Sequence, residues 1–331
     1  MALSLFVCKI VLGSWNKEKQ RNMKKILIIG LLSIIYFVQG LQAQTFRPVK
    51  GWSTAVNDQL EGFLNATIPM KERKVSVFDC DGTTFGQVPY YLADEALYQY
   101  ADEVLKKRND KEAKERLAIL DRMVKNGDNV GKIYVEDRVH FLAGLSPEEI
   151  ETIGYDCYRK TYKGKFYPEM KQLIANLKEY GFEVWILTAS PELLYQKFVA
   201  EEFGLSSINV VGAKCVIANG KTTGEIILPI PQDDGKAHSI ETFIKARPLI
   251  VGGNSRGDMD MLNESFGLKI VVNPDDVTVR GSEDGLMSGH TVKSYWEKEG
   301  ALIVKCNDVA DPNVKFHTAE WKIRQNKSNP K

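Results

Sequence analysis

Two aspartates, Asp79 and Asp81, lie two positions apart where a hydrophobic run, 75–78, ends. In a strand, residues two apart point to the same side, so the two carboxylates would share one face. Two carboxylates this close repel each other. The site therefore needs either a proton on one of them or a cation between the two. Mg²⁺ prefers oxygen ligands and is the commonest choice for such a site. Gly82 and Thr83 follow at once and would offer a backbone N–H or a hydroxyl to a phosphate.

Two other interpretations of this stretch are a solvated turn and a calcium loop. Asp-Gly is a turn-prone dipeptide, which keeps the first interpretation open at this point. The calcium interpretation fails on spacing, because an EF-hand loop has glycine at its sixth position and Gly82 is the fourth residue counted from Asp79.

The surrounding elements predict a sheet that is covered on both faces. The apolar runs 74–78, 181–187, 247–253 and 268–273 lack the alternation of a half-exposed strand. Helical patterns such as 167–181 and 237–246 lie between them. Alternating strands and helices indicate an α/β fold with a doubly wound parallel sheet.

Two segments depart from this alternation. Residues 89–165 contain helical patterns and no convincing strand, so they are predicted to form a helical module inserted after the first strand. Residues 210–228 carry Asn219-Gly220 between two β-rich arms, which is a strong hairpin signal.

Four motifs in order resemble those of the haloacid dehalogenase (HAD) superfamily. "FDCDGTT" resembles the first motif, "VWILTAS" the second, "DDGKAHSI" the third and "VGGNSRGDMDML" the fourth. The resemblance covers about residues 74–273. It implies a HAD-like Rossmannoid core with an α-helical cap of the C1 type between the first and second motifs, as in phosphoserine and phosphorylcholine phosphatases.

The resemblance also implies residue roles and a reaction. Asp79 would attack phosphorus and form an aspartyl-phosphate, and Asp81 would protonate the leaving alcohol and later activate water. Asp81 indicates a phosphatase, because superfamily members that attack carbon lack this acid and the ATPases carry threonine there. Thr188 and Lys236 would hold the phosphate. The further implied positions are Gly82, Thr83, Ala189 and Arg138 for substrate, and Asp79, Asp81 (through its backbone carbonyl), Asn254 and Asp258 for Mg²⁺.

The fourth motif departs from the family pattern. Asn254 stands where most relatives have a metal-binding aspartate, with Asp258 four residues further on. An amide oxygen can still bind Mg²⁺, but a negative charge is lost, and Asp258 could move into contact with the metal. This departure leaves an alternative open, namely a phosphate-binding protein of the same fold with weak turnover.

The cap sequence gives mixed indications about the substrate. "DRVHFLAGLSPEEI" (137–150) resembles the stretch that binds the serine carboxylate in phosphoserine phosphatases, which assigns that role to Arg138. Val88 stands near the place where those enzymes carry an acidic residue. Tyr90, Tyr91 and Tyr98 could instead offer ring faces to a quaternary ammonium group, or they could simply form a helix core. The expected substrate is a small phosphomonoester.

The chain has 331 residues, and 44 lysines and arginines balance 43 aspartates and glutamates, so no overall electrostatic field favours nucleic acid.

Lysines and an apolar stretch, 26–38, follow Met23, and Ala43 closes the segment. This layout predicts a secretory signal with Met23 as the initiator. The alternative of a membrane anchor is disfavoured because the stretch is shorter than the ~20 residues of a spanning helix. The mature chain is therefore expected to be exported, periplasmic or extracellular, without stable membrane insertion. The sequence leaves the oligomeric state open. The predicted division is a leader at 1–44, a core at 45–88 and 166–310, a cap at 89–165 and a tail at 311–331.

Overall fold

The computed structural model describes residues 44–126 and 131–327, and all elements below lie within the unit Phe46–Lys331. Seven strands form one sheet in the order β4-β3-β2-β1-β5-β6-β7. Neighbouring strands are parallel except for β3 and β4, which are antiparallel. The strands are β1 (Val75–Asp79), β2 (Glu183–Pro191), β3 (Val210–Ala218), β4 (Lys221–Ile227), β5 (Ile250–Gly253), β6 (Leu268–Val272) and β7 (Leu302–Val304).

The doubly wound α/β fold predicted from the apolar runs is confirmed. Successive residues of a central strand enter different cores: Phe78 and Ile186 pack into one cluster, and Val77 and Leu187 pack into the other. Every residue of β1 is buried, because helices cover both faces of the sheet. The helices are α1 (Thr54–Ala66), α2 (Leu92–Glu103), α3 (Lys111–Asn126), α4 (Lys132–Leu142), α5 (Pro147–Cys157), α6 (Pro168–Glu179), α7 (Glu192–Phe203), α8 (Asp234–Ser239), α9 (Met259–Asn263), α10 (Val292–Lys298) and α11 (His317–Glu320).

Four helices, α2 to α5, lie between β1 and α6, where the sequence predicts an inserted helical module. Helix α5 begins with a capping box: the Ser146 hydroxyl accepts from Glu149 N at 3.2 Å, and the Glu149 carboxylate accepts from Ser146 N at 2.7 Å. Gly154 faces α7, and a Cβ at this position would overlap the carbonyl oxygen of Leu194. The absence of a side chain thus lets the insert pack directly on a core helix.

The hairpin predicted around Asn219-Gly220 is present as β3 and β4. Asn219 and Gly220 both have positive φ, at 52° and 74°, as a two-residue turn of this kind requires. The hairpin also contacts the helical insert, because Thr222 N donates to Leu145 O at 2.9 Å and Gly144 N to Thr222 O at 2.7 Å.

Residues 311–327, which lie within the predicted tail, contact the helical insert. The Glu95 carboxylate on α2 accepts hydrogen bonds from His317 N and Thr318 N, each at 2.9 Å. Trp321 packs on Tyr98 with ring centroids 5.2 Å apart. The segment therefore becomes part of the packing around the helical insert, although most of its contacts lie more than 200 residues away in sequence.

The predicted leader falls on residues 1–44, of which 1–43 lie outside the described residues. Within the parts of the chain that the structure describes, no helix is long and apolar enough to span a bilayer.

Candidate active site

The carboxyl ends of three adjacent strands bring the predicted site residues together. Asp79 is the last residue of β1 and pairs in register with Leu187 of β2, which places Thr188 beside it. On the other side, β5 ends at Gly253, one residue before Asn254. Parallel strands end at the same edge of a sheet, and a crevice forms there in folds of this class.

Lys236 joins the first and fourth motifs. Its Nζ lies 2.6 Å from Asp79 Oδ1 and 2.5 Å from Asp258 Oδ1, and all three side chains are buried. Burial disfavours the charge on Lys236, but Asp258 and Asp79 outweigh it and raise the pKa of the ammonium group above its ordinary range. Lys236 therefore stays protonated and holds the two carboxylates in fixed positions.

Burial and the neighbouring ammonium group of Lys236 have opposite effects on the charge of Asp79. Burial raises the pKa of its carboxyl group above the ordinary range, and the positive charge of Lys236 opposes that rise. Its other oxygen, Oδ2, accepts a hydrogen bond from Thr83 Oγ1 at 3.1 Å. The nucleophile expected from the sequence is thus oriented by one ammonium and one hydroxyl group.

Asp81 is held by hydroxyl groups instead of by a cation. Tyr195 Oη donates to its Oδ1 at 2.9 Å, and Thr188 Oγ1 and Ser190 Oγ donate to its Oδ2 at 3.2 and 3.4 Å. Burial raises the pKa of Asp81 to about 6, against the hydrogen bond from Tyr195, which lowers it. A carboxyl group with such a pKa can give and take a proton near neutral pH.

Tyr195 and Ser190 were not identified from the sequence. Ser190 lies two residues after Thr188, so its position at the end of β2 was a usable signal. Tyr195 lies on α7, and only the packing of that helix against the loop after β1 brings its hydroxyl to Asp81. No sequence pattern carries that information.

Gly82 and Thr83 have a different position from the one expected. The N–H of Gly82 donates to Phe85 O at 2.7 Å, and Thr83 is fully buried, with its hydroxyl directed to Asp79 and Asn254. Neither residue lines the cavity at the site. In this structure both residues shape the loop behind Asp79, and their contact with phosphate stays a prediction.

Gly82 is needed because of Asn254. Its φ is +87°, and a Cβ at this position would overlap Asn254 Nδ2 and lie 2.8 Å from Gln87 Cδ. Any side chain at position 82 would therefore push the Asn254 amide away from the nucleophile loop.

Asp258 supports the site from behind. Its Oδ1 accepts from Lys236, while its Oδ2 accepts from Asn254 N and Ser255 N, both at 2.9 Å, and from Ser255 Oγ at 3.1 Å. Although burial alone would raise its pKa, Lys236 and these donors hold the pKa of Asp258 below its ordinary value. Both oxygens are engaged within the protein, and direct contact of Asp258 with a metal stays a prediction.

The remaining oxygen donors fit Mg²⁺. Asp79 Oδ2 and Asn254 Oδ1 lie 3.1 and 3.3 Å from the same Thr83 hydroxyl, so a carboxylate and an amide oxygen converge. Mg²⁺ is commonly bound by one or two carboxylates with substrate phosphate and waters. Within 44–126 and 131–327, no group of three or more His, Cys, Asp or Glu side chains is arranged to hold a metal ion. A metal here would thus depend on Asn254.

A cavity of about 490 Å³ opens over these groups. Ala189 and Arg138 line it, as their predicted substrate roles require, but the charge of Arg138 already has a protein partner. Its Nε and Nη2 lie 2.9 and 2.8 Å from Asp94 Oδ1, and both side chains are buried. The insert therefore does carry an acidic residue close to Arg138, namely Asp94, which was not predicted when Val88 was found near the place of the family's acidic residue.

The three tyrosines do not form an aromatic box. Tyr91 lines the cavity, with the Arg138 guanidinium 5.7 Å from its ring centroid, whereas Tyr90 and Tyr98 are buried outside it. Tyr90 packs on Phe316, and Tyr98 on Trp321. The helix-core interpretation therefore fits Tyr98 on α2, whereas Tyr90 and Tyr91 precede that helix.

Comparisons with known proteins agree with this arrangement. The sequence profile of the haloacid dehalogenase-like hydrolases matches residues 77–263, which include Asp79, Thr188, Lys236 and Asp258. A phosphoserine phosphatase of Mycobacterium tuberculosis is 25% identical over 140 residues, covering 41% of this chain and 44% of that protein. The chain thus spans less than half the length of this curated relative.

Two solved structures share the fold. A conserved protein of unknown function from Anaerococcus prevotii superposes with a TM-score of 0.59 at 14% identity, covering 80% of this chain and 98% of that one. A protein of unknown function from Bordetella pertussis gives 0.53 at 16% identity, with coverages of 71% and 99%. Since the family profile matches more than half of the sequence, the chain belongs to the haloacid dehalogenase-like hydrolase family.

Proposed function

We propose that the protein is a Mg²⁺-dependent phosphomonoesterase that hydrolyses a small phosphorylated metabolite through an aspartyl-phosphate. The observation that carries this proposal is that two carboxylates at the end of one strand have different hydrogen-bond partners. Asp79 is oriented by Lys236, and Asp81 is held by three hydroxyl groups with a pKa of about 6. This is the pairing of a nucleophile with an acid of suitable pKa.

In the first half-reaction, an Asp79 oxygen forms a bond to phosphorus while the bond from phosphorus to the ester oxygen breaks. Asp81, in its protonated form, gives its proton to that ester oxygen, and the alcohol leaves. Lys236 would move one of its donors from Asp79 to an oxygen of the transferring phosphoryl group. Thr188, which now donates to Asp81 at 3.2 Å, keeps the acid in place.

In the second half-reaction, a water molecule attacks the phosphorus of the aspartyl-phosphate. Asp81, now ionised, accepts a proton from that water, the Asp79–phosphorus bond breaks and inorganic phosphate leaves. The two carboxylates return to their starting states. The same residue can serve as acid and then as base because its pKa lies close to neutrality.

Mg²⁺ would be held by the Asp79 carboxylate, the backbone carbonyl of Asp81 and the Asn254 amide oxygen. When bound, it would offset the negative charge that gathers as a carboxylate approaches a phosphate dianion. With Asn254 in place of an aspartate, the protein supplies less negative charge, so we expect weaker metal binding than in a site with two carboxylates.

The test is phosphate release from p-nitrophenyl phosphate by the chain from about residue 44 onward, with Mg²⁺ and with a chelator. Turnover should require the metal and vanish in Asp79→Asn. The matched control is Asp260→Asn, since Asp260 does not line the cavity. Acid-quenched protein should carry a phosphoryl group that Asp79→Asn lacks. A folded protein that binds phosphate but releases none from any ester would instead support the weak phosphate-binding alternative.

The expected localisation belongs to the same proposal. The signal-like segment after Met23 supports export to the periplasm or beyond. Expression from Met23, followed by fractionation and N-terminal sequencing of the product, tests it. A product that keeps its leader and stays with the cytoplasmic fraction contradicts export.

A further inference from the structure

Besides the residues at the chemistry, the wall of the site cavity carries four arginines: Arg138, Arg256, Arg280 and Arg324. The cavity volume of about 490 Å³ is within the range of roughly 300–1,000 Å³ for small-molecule sites and exceeds the need of a phosphoryl group alone. The part of the substrate beyond its phosphate would therefore contact these arginines. Which of them lack a compensating carboxylate decides which substrate groups the cavity favours.

Arg138 contributes little free charge to the cavity. It is paired with Asp94 at 2.8 Å inside the protein, and its guanidinium lies 4.7 Å from the ring centroid of Tyr134. A buried pair of this kind is neutral as a unit, so the attraction for a substrate anion must come from elsewhere.

Arg256 and Arg280 share one carboxylate. Arg256 Nε donates to Asp284 Oδ1 at 2.9 Å, while the shortest Arg280 ion-pair distance, from Nη1 to Asp284 Oδ2, is 3.8 Å and too long for a hydrogen bond. Asp233 also lines the cavity and lies close enough to Arg256 to influence it. Asp284 and Asp233 together therefore compensate mainly Arg256.

Arg280 has a guanidinium donor that the described residues leave unused. Its Nε is buried and donates to no acceptor among the residues that the structure describes. A buried donor without an acceptor is unfavourable, and an oxygen of a ligand in the cavity would satisfy it. The side chain is 28% exposed, so the rest of the guanidinium remains accessible from the cavity.

Arg324 reaches the same cavity from the C-terminal segment. The chain beyond it is fixed at the entrance of the helical insert, because Asn326 N donates to Pro89 O and Asn326 Nδ2 to Gln87 O, both at 2.8 Å. These two hydrogen bonds fix the chain two residues beyond Arg324.

We propose that Arg280 and Arg324 bind a second anionic group of the substrate, so that the enzyme selects phosphomonoesters that also carry a carboxylate or a second phosphate. Guanidinium groups recognise both kinds of oxyanion through paired N–H donors. The same charges would repel the quaternary ammonium of phosphorylcholine. This inference rests on the proposed phosphatase function, but the subsite lies outside the four motifs and outside the helical insert.

The test compares substrates that differ by one anionic group. 3-Phosphoglycerate and glycerol 3-phosphate differ by a carboxylate, and fructose 1,6-bisphosphate and fructose 6-phosphate differ by a phosphate. The wild type should prefer the more anionic member of at least one pair by about tenfold in kcat/KM, as a charge-assisted hydrogen bond provides. Whichever pair shows the preference identifies the group.

Arg280→Gln and Arg324→Gln should each lower that preference, mainly through KM, while kcat/KM for glycerol 3-phosphate or fructose 6-phosphate changes little. Arg280→Lys should keep part of it. Arg159→Gln is the matched control, since Arg159 is exposed and lies outside the cavity. An unchanged preference in Arg280→Gln, or no preference for either anionic substrate in the wild type, overturns the subsite.

Calorimetric binding of 3-phosphoglycerate, glycerol 3-phosphate and the two fructose phosphates separates this outcome from a failure of the proposed function. If no ester is hydrolysed, the phosphatase proposal fails. Tighter binding of a more anionic ligand that weakens in Arg280→Gln would still support the subsite. Equal binding of both members of each pair would reject it.

Discussion

Tyr195→Phe removes one hydroxyl group and little else from the site. Tyr195 is fully buried, and its ring packs on Phe198 with centroids 5.2 Å apart, a contact that phenylalanine keeps. The hydroxyl donates to Asp81 Oδ1 at 2.9 Å and accepts from Ala93 N at 3.2 Å. The substitution therefore changes the surroundings of the acid while leaving the hydrophobic packing in place.

The loss of this donor should raise the pKa of Asp81, because the hydrogen bond favours the ionised form. A hydrogen bond to a charged group contributes about 1.5–3 kcal/mol and one to a neutral group about 0.5–1.5 kcal/mol. The difference of about 1–1.5 kcal/mol corresponds to about one pKa unit. Starting from about 6, the pKa of Asp81 should move to about one unit higher in the variant.

The assay is kcat/KM as a function of pH with an alkyl phosphate, whose poor leaving group needs the acid. The protonated form of Asp81 starts the reaction, so the rate falls as pH rises through its pKa. The basic limb of the profile should therefore move upward by about one unit in Tyr195→Phe. Tyr180→Phe is the control, since it also removes a hydroxyl that donates one hydrogen bond, to Asn65 Oδ1 at 2.8 Å, away from Asp81.

A basic limb that stays in place in Tyr195→Phe, or moves to lower pH, would refute the reasoning. A similar shift in Tyr180→Phe would show that the effect comes from a general loss of stability. Thermal unfolding of both variants at one pH measures that loss separately, which we expect to be about 1–3 kcal/mol for one unsatisfied buried N–H.

Three further predictions concern other parts of the site. Gly82→Ala should lower Mg²⁺ affinity by about tenfold or more, measured by metal titration, because its Cβ would displace Asn254. Asp258→Asn should lower the free energy of unfolding by about 3 kcal/mol in urea titrations, since it leaves the charge of Lys236 less compensated. Asp81→Asn should stabilise the metal-free protein at pH 8 but not at pH 4. The folded pKa of Asp81, about 6, exceeds the unfolded value of about 3.9, so the ionised carboxylate destabilises the fold above pH 6 by about 3 kcal/mol.

Each of these has an opposing result. Unchanged metal affinity in Gly82→Ala would mean that Asn254 does not bind Mg²⁺. A neutral effect of Asp258→Asn would mean that Asp79 alone compensates Lys236. Equal stabilisation by Asp81→Asn at pH 4 and pH 8 would assign the effect to packing instead of charge.

Much of the active centre followed from the sequence because its residues stand at strand ends. Once four apolar runs are identified as parallel strands, the residues after them must gather at one edge of the sheet. Asp79, Thr188 and Asn254 met there for that reason, and Lys236 was assigned by the order of the motifs. The Asn219-Gly220 turn and the Ser146 cap could be predicted from local rules, since each depends on only a few neighbouring residues.

Other contacts could not be predicted, because they join segments that only helix packing brings together. Tyr195 and Asp81 are 114 residues apart, Arg138 and Asp94 are 44 apart, and Thr318 and Glu95 are 223 apart. None of these pairs is fixed by strand register or by a local turn.

The sequence by itself thus determined the fold, the placement of Asp79 and Asp81 at one strand end, and the presence of helices between the first two strands. Periodicity and strand-end placement are properties of a few consecutive residues. They can therefore be recognised without knowledge of the rest of the chain. Only the tertiary structure decided that Arg138 is neutralised by Asp94, that Tyr195 orients Asp81, and that Arg280 and Arg324 share the site cavity. Those contacts depend on which side chains of distant elements come together when the helices pack. No local sequence pattern predicts such contacts.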